Sequence, residues 1–140
     1  MKLLFALLVP FLFLNCATKS TQKMQESTIT YEAMSRGYYM KAEIIGNKMT
    51  VARDRDSGSV ACLLSEKDIK ELDKLFQEVN LKEIETYKSP TEKRFYDGAA
   101  IGTLNVSYHG QNYKTEAFDH GNPPVELEKF INKIVSFTEK

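Results

Sequence analysis

Six polar or aromatic side chains in the C-terminal half of the chain are candidate ligand-binding residues. They are Arg94, Tyr96, Asp97, Asp119, His120 and Asn122. An imidazole beside two carboxylates can hold a metal ion or act as a general base. One hypothesis is therefore a small hydrolase or metal-dependent enzyme that uses Asp97, Asp119 and His120.

A predicted β-hairpin brings these side chains together. A turn near Gly110 pairs Ile101 with about His120 across two antiparallel strands. The long irregular loop formed by residues 88–99 then meets residues 118–124 at one end of a sheet. Irregular loops of this length inside a small domain are often functional.

The same residues also have a structural interpretation. In this alternative Asp97-Gly98 forms a turn, Asp119 accepts hydrogen bonds from loop N–H groups, and Asn122 caps a helix. Arg94 pairs with a carboxylate and so holds the loop. A metal site usually has a second His or Cys at ligand spacing, which is lacking here. The sequence therefore favours the structural alternative and predicts no catalytic residue, metal or cofactor.

Alternation of apolar and polar residues predicts four strands between residues 28 and 64. Ile29, Tyr31 and Ala33 alternate with polar residues, and the following segments repeat this period of two. Gly46-Asn47 is typical of a tight hairpin turn. These segments predict an antiparallel meander of four strands.

Two helices complete the predicted domain. Ser65 followed by Asp68 resembles a capping box, and apolar residues then recur at helical spacing. Asn122 followed by two prolines predicts the start of the last helix. The predicted order is ββββ-α-ββ-α. We expect an α+β domain over residues 28–140, with an antiparallel sheet of about six strands and two helices packed on one face.

The N-terminal segment has the composition of an export signal. A basic Lys2 precedes an apolar run over residues 3–14. That run is too short for a membrane-spanning helix, but its length suits a secretory signal peptide. We therefore predict a signal peptide over residues 1–15. Residues 16–27 are polar without periodicity and are predicted to form a flexible tether.

The stretch Phe13-Leu14-Asn15-Cys16 resembles the lipobox of bacterial lipoproteins. The resemblance implies lipidation of Cys16, which would begin the mature protein and carry diacylglycerol on its sulfur and an acyl chain such as palmitate on its amine. Ala17 follows the cysteine where retained inner-membrane lipoproteins have Asp, which implies the outer membrane, facing the periplasm. The alternative is an ordinary signal peptide cut after Ala17, which would discard Cys16.

Tyrosines near the first turn of the meander form a further candidate surface. Tyr31, Tyr38 and Tyr39 lie close to Arg36 in the sequence. They could form an exposed aromatic patch for a partner. More often, such tyrosines are half-buried residues of a strand.

The charge balance bears on the class of partner. With 19 basic and 19 acidic residues, the chain has no long-range attraction for a phosphate backbone, so we predict no nucleic-acid binding. Residues 95–98 and 118–124 are similar to small uncharacterised envelope lipoproteins, a resemblance that implies no known activity. We expect a non-enzymatic, lipid-anchored binding or envelope-assembly module with an envelope protein as partner. The alternatives are the enzyme described above and an inhibitor that presents residues 88–99 to a periplasmic enzyme.

Overall fold

The computed structural model describes residues 22–140. The predicted signal peptide, Cys16 and the first residues of the predicted tether lie outside this part of the chain. Within residues 22–140, no helix is both long and apolar enough to cross a membrane.

The strands form one antiparallel, seven-stranded sheet. Their bounds are β1 Ser27–Met34, β2 Tyr39–Ile45, β3 Lys48–Ala52, β4 Val60–Cys62, β5 Ile101–Tyr108, β6 Gln111–Lys114 and β7 Phe118–Asp119. The order across the sheet is β4-β3-β2-β1-β5-β6, and β7 also pairs with β5. The first four strands are therefore the predicted meander, and β1 lies between β2 and β5.

Two α-helices follow the strands, α1 over Glu66–Gln77 and α2 over Glu128–Thr138. The predicted capping box begins α1, because Ser65 accepts a hydrogen bond from the Asp68 backbone while the Asp68 side chain accepts one from the Ser65 backbone. Short 3₁₀ helices cover Met24–Glu26, Leu81–Thr86 and Lys93–Tyr96.

The sheet buries one face beneath the helices. Side chains of β1 alternate strictly between buried and partly exposed, as period two requires. The buried face forms a single core with both helices, in which the rings of Phe76 from α1 and Phe130 from α2 lie 5.7 Å apart. The α+β class and the helices on one face of an antiparallel sheet are thus confirmed.

The hairpin of β5 and β6 has a two-residue turn at His109 and Gly110. Both residues have positive φ, 48° and 76°, which is the backbone of a type I′ turn. After β6 the pairing with β5 is interrupted at Thr115. The Thr115 hydroxyl accepts a hydrogen bond of 3.0 Å from the backbone N–H of Leu104, which keeps that buried group satisfied.

The observed register differs from the predicted one. Ile101 pairs with Asp119, whereas the sequence predicted about His120. The turn lies one residue earlier than Gly110-Gln111, which alone would place Phe118 opposite Ile101, and the one unpaired residue between β6 and β7 moves the pairing back to Asp119.

The predicted start of the last helix is wrong. Asn122 does not cap α2, which begins only at Glu128 after Leu127, and no side chain caps it. Instead, the Asn122 backbone donates a 2.9 Å hydrogen bond to the Asp119 carbonyl. Pro124 disfavours helical backbone at Pro123, the residue that would begin a helix capped by Asn122.

The domain begins earlier than residue 28. Gln22 and Met24 are buried, so the C-terminal end of the predicted tether belongs to the folded domain. The Gln22 side-chain amide donates hydrogen bonds of 2.6 Å and 2.7 Å to the carbonyls of Phe76 and Val79. These carbonyls lie at or just beyond the end of α1, and the Phe76 carbonyl also accepts a 3.1 Å hydrogen bond from the Val79 backbone. The Met24 backbone also donates to Asp73, at 2.9 Å.

Candidate functional site

The loop of residues 88–99 and the segment around β7 meet at one end of the sheet, as predicted. Asp119 joins them, with a fully buried side chain. Its carboxylate accepts hydrogen bonds from the Thr91 hydroxyl at 2.6 Å, the Lys93 backbone at 2.7 Å and the Arg94 backbone at 3.0 Å. The Arg94 guanidinium donates a fourth, at 3.1 Å.

These donors determine the charge state of Asp119. Burial alone would raise the pKa of this carboxyl, but the hydrogen bonds from Thr91, Arg94 and Lys93 outweigh it and lower the pKa to about 2. Arg94 also donates to the Thr91 carbonyl at 2.9 Å and the Ser89 hydroxyl at 3.3 Å. The ionised pair therefore fixes the first half of the loop.

The second half of the loop carries its exposed aromatic side chains. Phe95 and Tyr96 are 72% and 71% exposed. Asp97 is exposed and has left-handed backbone with φ of 56°, and the following Gly98 donates a 2.8 Å hydrogen bond to the Lys93 carbonyl. Asp97-Gly98 thus forms the turn that the structural alternative predicted.

The His120 imidazole contacts a different group of residues from the one that surrounds the Asp119 carboxylate. Its Nδ1 lies 2.6 Å from the Tyr31 hydroxyl, and its Nε2 lies 3.3 Å from the Tyr38 hydroxyl. Burial lowers the pKa of His120, although Glu139 acts in the opposite direction, so the imidazole is neutral at pH 7. Burial likewise raises the pKa of the Tyr31 hydroxyl. Both ring nitrogens are therefore engaged by tyrosines.

A glycine in β5 makes room for this arrangement. A Cβ atom at Gly102 would lie 2.8 Å from Cε2 of Phe118 and 3.2 Å from the Tyr31 hydroxyl. The rings of Tyr31 and Phe118 are stacked, with centroids 6.2 Å apart. A glycine inside a strand often indicates such a close approach. This was the available sequence signal for the contact between Tyr31 and His120, which the sequence analysis missed.

The structure brings only some of the six candidate residues into contact. Arg94 and Asp119 form an ion pair, but the Asp119 carboxylate and the His120 imidazole contact separate groups of residues. Asp97 and Asn122 are exposed, and neither side chain forms a hydrogen bond with residues 22–140. The described chain has no group of three or more His, Cys, Asp or Glu placed to hold a metal ion.

Several exposed side chains lie at this end of the sheet, where β1 and β3 end and β2 and β5 begin. We name this surface the arginine–aromatic pole, and it comprises Arg36, Tyr38, Arg55, Phe95 and Tyr96. Of the three tyrosines considered from the sequence, Tyr38 is 42% exposed, Tyr31 is buried and Tyr39 is half-buried.

The arginine–aromatic pole and the N-terminal end of the domain lie at opposite ends of the sheet. β1 leads from Ser27 to Met34 and ends beside the pole; its eight residues span roughly 25 Å. At its beginning, Glu26 lies 2.6 Å from His109 in the turn between β5 and β6. Gln22, the first described residue, lies near Tyr108 and Tyr113 at the end of the sheet opposite the pole.

No protein-family model, curated protein or solved structure matches this chain. Two features of the structure bear most on function. The buried ion pair of Arg94 and Asp119 orders residues 88–99, and the pole lies far from the N-terminal end of the domain.

Proposed function

We propose that the chain is a lipid-anchored cell-envelope lipoprotein and a non-enzymatic binding module whose arginine–aromatic pole contacts a protein partner. Lipidated Cys16 attaches it to the outer membrane, facing the periplasm. The observation that carries this proposal is the position of the pole, at the opposite end of the sheet from Gln22, the first described residue.

The proposed anchor holds the domain close to the membrane. Six residue steps separate Cys16 from the buried Gln22, a distance of at most about 20 Å. Two or more acyl chains on Cys16 are needed for stable attachment, because one chain binds a bilayer only marginally. The strands then extend the pole away from the bilayer, where a soluble or membrane-bound partner can reach it.

The composition of the pole suits a protein interface. Tyrosine, phenylalanine and arginine are enriched in such interfaces and supply much of their binding energy. Phe95 and Tyr96 expose most of their surface, and the loop that bears them is already ordered by Asp119. A partner therefore binds without the entropic cost of ordering the loop.

The pre-ordered loop also favours the inhibitor hypothesis as one form of this binding module. A fixed loop with two exposed aromatic side chains can occupy the cleft of a periplasmic enzyme. The enzyme hypothesis gains no comparable support, because the carboxylate of Asp119 already accepts four hydrogen bonds and the ring nitrogens of His120 face tyrosines.

The anchor is tested by intact-mass analysis of the membrane fraction. We expect the native chain to start at Cys16 with the added mass of its acyl groups, and the Cys16→Ser variant to leave the membrane fraction. A native chain of unmodified mass, or one cut after Ala17, would contradict the proposed anchor.

The pole is tested by photo-crosslinking in cells. A photoreactive residue at Tyr96 should yield a discrete adduct with one envelope protein. The control position is Gln111, which is exposed at the opposite end of the sheet. Adducts of equal yield at both positions, or none at Tyr96, would refute the assignment of the pole as a binding surface.

A further inference from the structure

We propose that a hollow beside the pole binds a carboxylate group that is flanked by an aliphatic group. The hollow has a volume of about 380 Å³, and its lining includes Met34, Arg36, Arg55, Asp97 and Ile101. The identity of the carboxylate as part of a protein partner rests on the proposed function, whereas the recognition of the group itself depends only on the hollow.

The charged side chains that line the hollow favour a ligand with a single negative charge. Arg36 and Arg55 have no carboxylate within 4.0 Å among residues 22–140. Arg94 also lines the hollow, but its charge is compensated by Asp119. Against the two uncompensated guanidinium groups stands only Asp97. The remaining positive charge matches one carboxylate.

Arg55 is held in place by its surroundings. Its Nη2 lies 3.6 Å from the Met34 sulfur, and its guanidinium carbon lies 5.8 Å from the centre of the Tyr39 ring. Contact with an aromatic ring restricts the guanidinium without using its N–H donors on a carboxylate. A planar guanidinium with free donors can bind a carboxylate through two parallel hydrogen bonds.

Apart from Ser35, the remaining lining of the hollow is apolar. Met34 and Ile101 are register partners on β1 and β5, and Ile101 is 43% exposed. An aliphatic group beside the bound carboxylate would cover this surface and gain hydrophobic energy in proportion to the area buried. The volume lies near the lower end of ligand pockets, which suits one amino-acid side chain or one C-terminal residue.

Asp97 distinguishes this ligand from a phosphate. Its carboxylate borders the same hollow and repels a doubly charged phosphate more strongly than a singly charged carboxylate. The chemistry therefore points to a carboxylate, supplied either by an acidic side chain or by a chain terminus.

The proposal is tested with two small probes, N-acetyl-L-leucine and its uncharged amide. Each is titrated into the full chain carrying Cys16→Ser in detergent, while NMR follows the side-chain signals of Arg36, Arg55 and Ile101. We expect saturable shifts of these three signals with the acid and none with the amide. Equal shifts with both probes would overturn the proposal.

Variants identify the groups responsible. Arg36→Gln and Arg55→Gln should each weaken binding of the acid roughly tenfold, the effect of losing a charge-assisted hydrogen bond. Lys82→Gln, which removes a positive charge from an exposed position outside the hollow, should leave binding unchanged. Native affinity in both arginine variants would refute the assignment.

The probe titration and the crosslinking experiment can refute the two proposals separately. Binding of the acid without an adduct at Tyr96 would retain the hollow but remove the proposed protein partner. An adduct at Tyr96 without acid binding would retain the partner but refute the hollow. A peptide with an internal Glu beside Leu, compared with one ending in a free Leu carboxylate, then separates the two sources of the carboxylate.

Discussion

Substitution of Asp119 by asparagine tests the central claim about the ordered loop. The change keeps the size of the side chain but removes the charge opposite Arg94 and replaces one acceptor with a donor. Breaking a buried ion pair from one side costs about 3–5 kcal/mol. Arg94 retains acceptors on Thr91 and Ser89. We therefore expect Asp119→Asn to lower the free energy of unfolding by about 3 kcal/mol, the lower end of that range.

The pKa of Asp119 gives an independent estimate and a pH signature. A decrease from 3.8 to about 2 on folding is worth about 2 kcal/mol at neutral pH. Because the unfolded chain takes up this proton more readily, the contribution is present above about pH 4 and is lost as the pH falls through about 2. At pH 3 the native chain has already lost roughly half of it.

The assay is urea unfolding followed by circular dichroism, on the full chain carrying Cys16→Ser in detergent. Asp97→Asn is the matched control, because it makes the same chemical change on the same loop at an exposed, left-handed position that asparagine tolerates. It should change stability by no more than about 0.5 kcal/mol. The reasoning is refuted if the two variants are equally stable at pH 7, or if their difference in stability is the same at pH 7 and pH 3.

Three further predictions concern other contacts. Gly102→Ala should lower the free energy of unfolding by about 1–3 kcal/mol, measured by urea unfolding, because its Cβ would meet the buried ring of Phe118 at 2.8 Å. Ser65→Ala should cost about 1 kcal/mol in the same assay, since it removes the hydroxyl that accepts from the Asp68 backbone; Ser65→Thr should retain most of the stability. Burial lowers the pKa of His120 below its ordinary 6.5, so the free energy of unfolding should fall as the pH decreases below about 6.5, and His120→Gln should flatten that slope.

The sequence predicted the sheet well because its determinants are local. Alternation in β1 requires only that one face be apolar, and the positive φ of Gly46 supports the hairpin turn expected there. The capping box of Ser65 and Asp68 is likewise contained in four consecutive residues. Each of these features could therefore be inferred without knowledge of the tertiary contacts.

The errors occurred where distant segments determine the outcome. Asn122 and the two prolines after it resemble a helix start, but Asn122 pairs with Asp119, and Pro124 disfavours helical backbone at Pro123. Gln22 lies in a polar stretch, yet the end of α1 supplies carbonyls for its amide. No local pattern contains that information.

The candidate site also depends on contacts between distant segments that the local sequence does not reveal. Alternation in β7 should leave Asp119 exposed, since Phe118 faces the core, but both are fully buried. The reason is that the 3₁₀ helix Lys93–Tyr96 covers the outer face of β7 and donates its backbone N–H groups to the carboxylate. The sequence predicted the meeting of the two segments, but not that they would enclose Asp119.

The central position of β1 has a mechanical consequence. Tension between the proposed anchor and a partner on the pole would pull β1 from its beginning at Ser27 and β5 from its beginning at Ile101, at opposite ends of the sheet. Because these two strands are antiparallel neighbours paired over eight residues, the load acts along the strands as shear. In shear the hydrogen bonds between the strands resist together, whereas in peeling they break one after another. The domain would thus transmit force lengthwise between the proposed anchor and a partner bound at the pole.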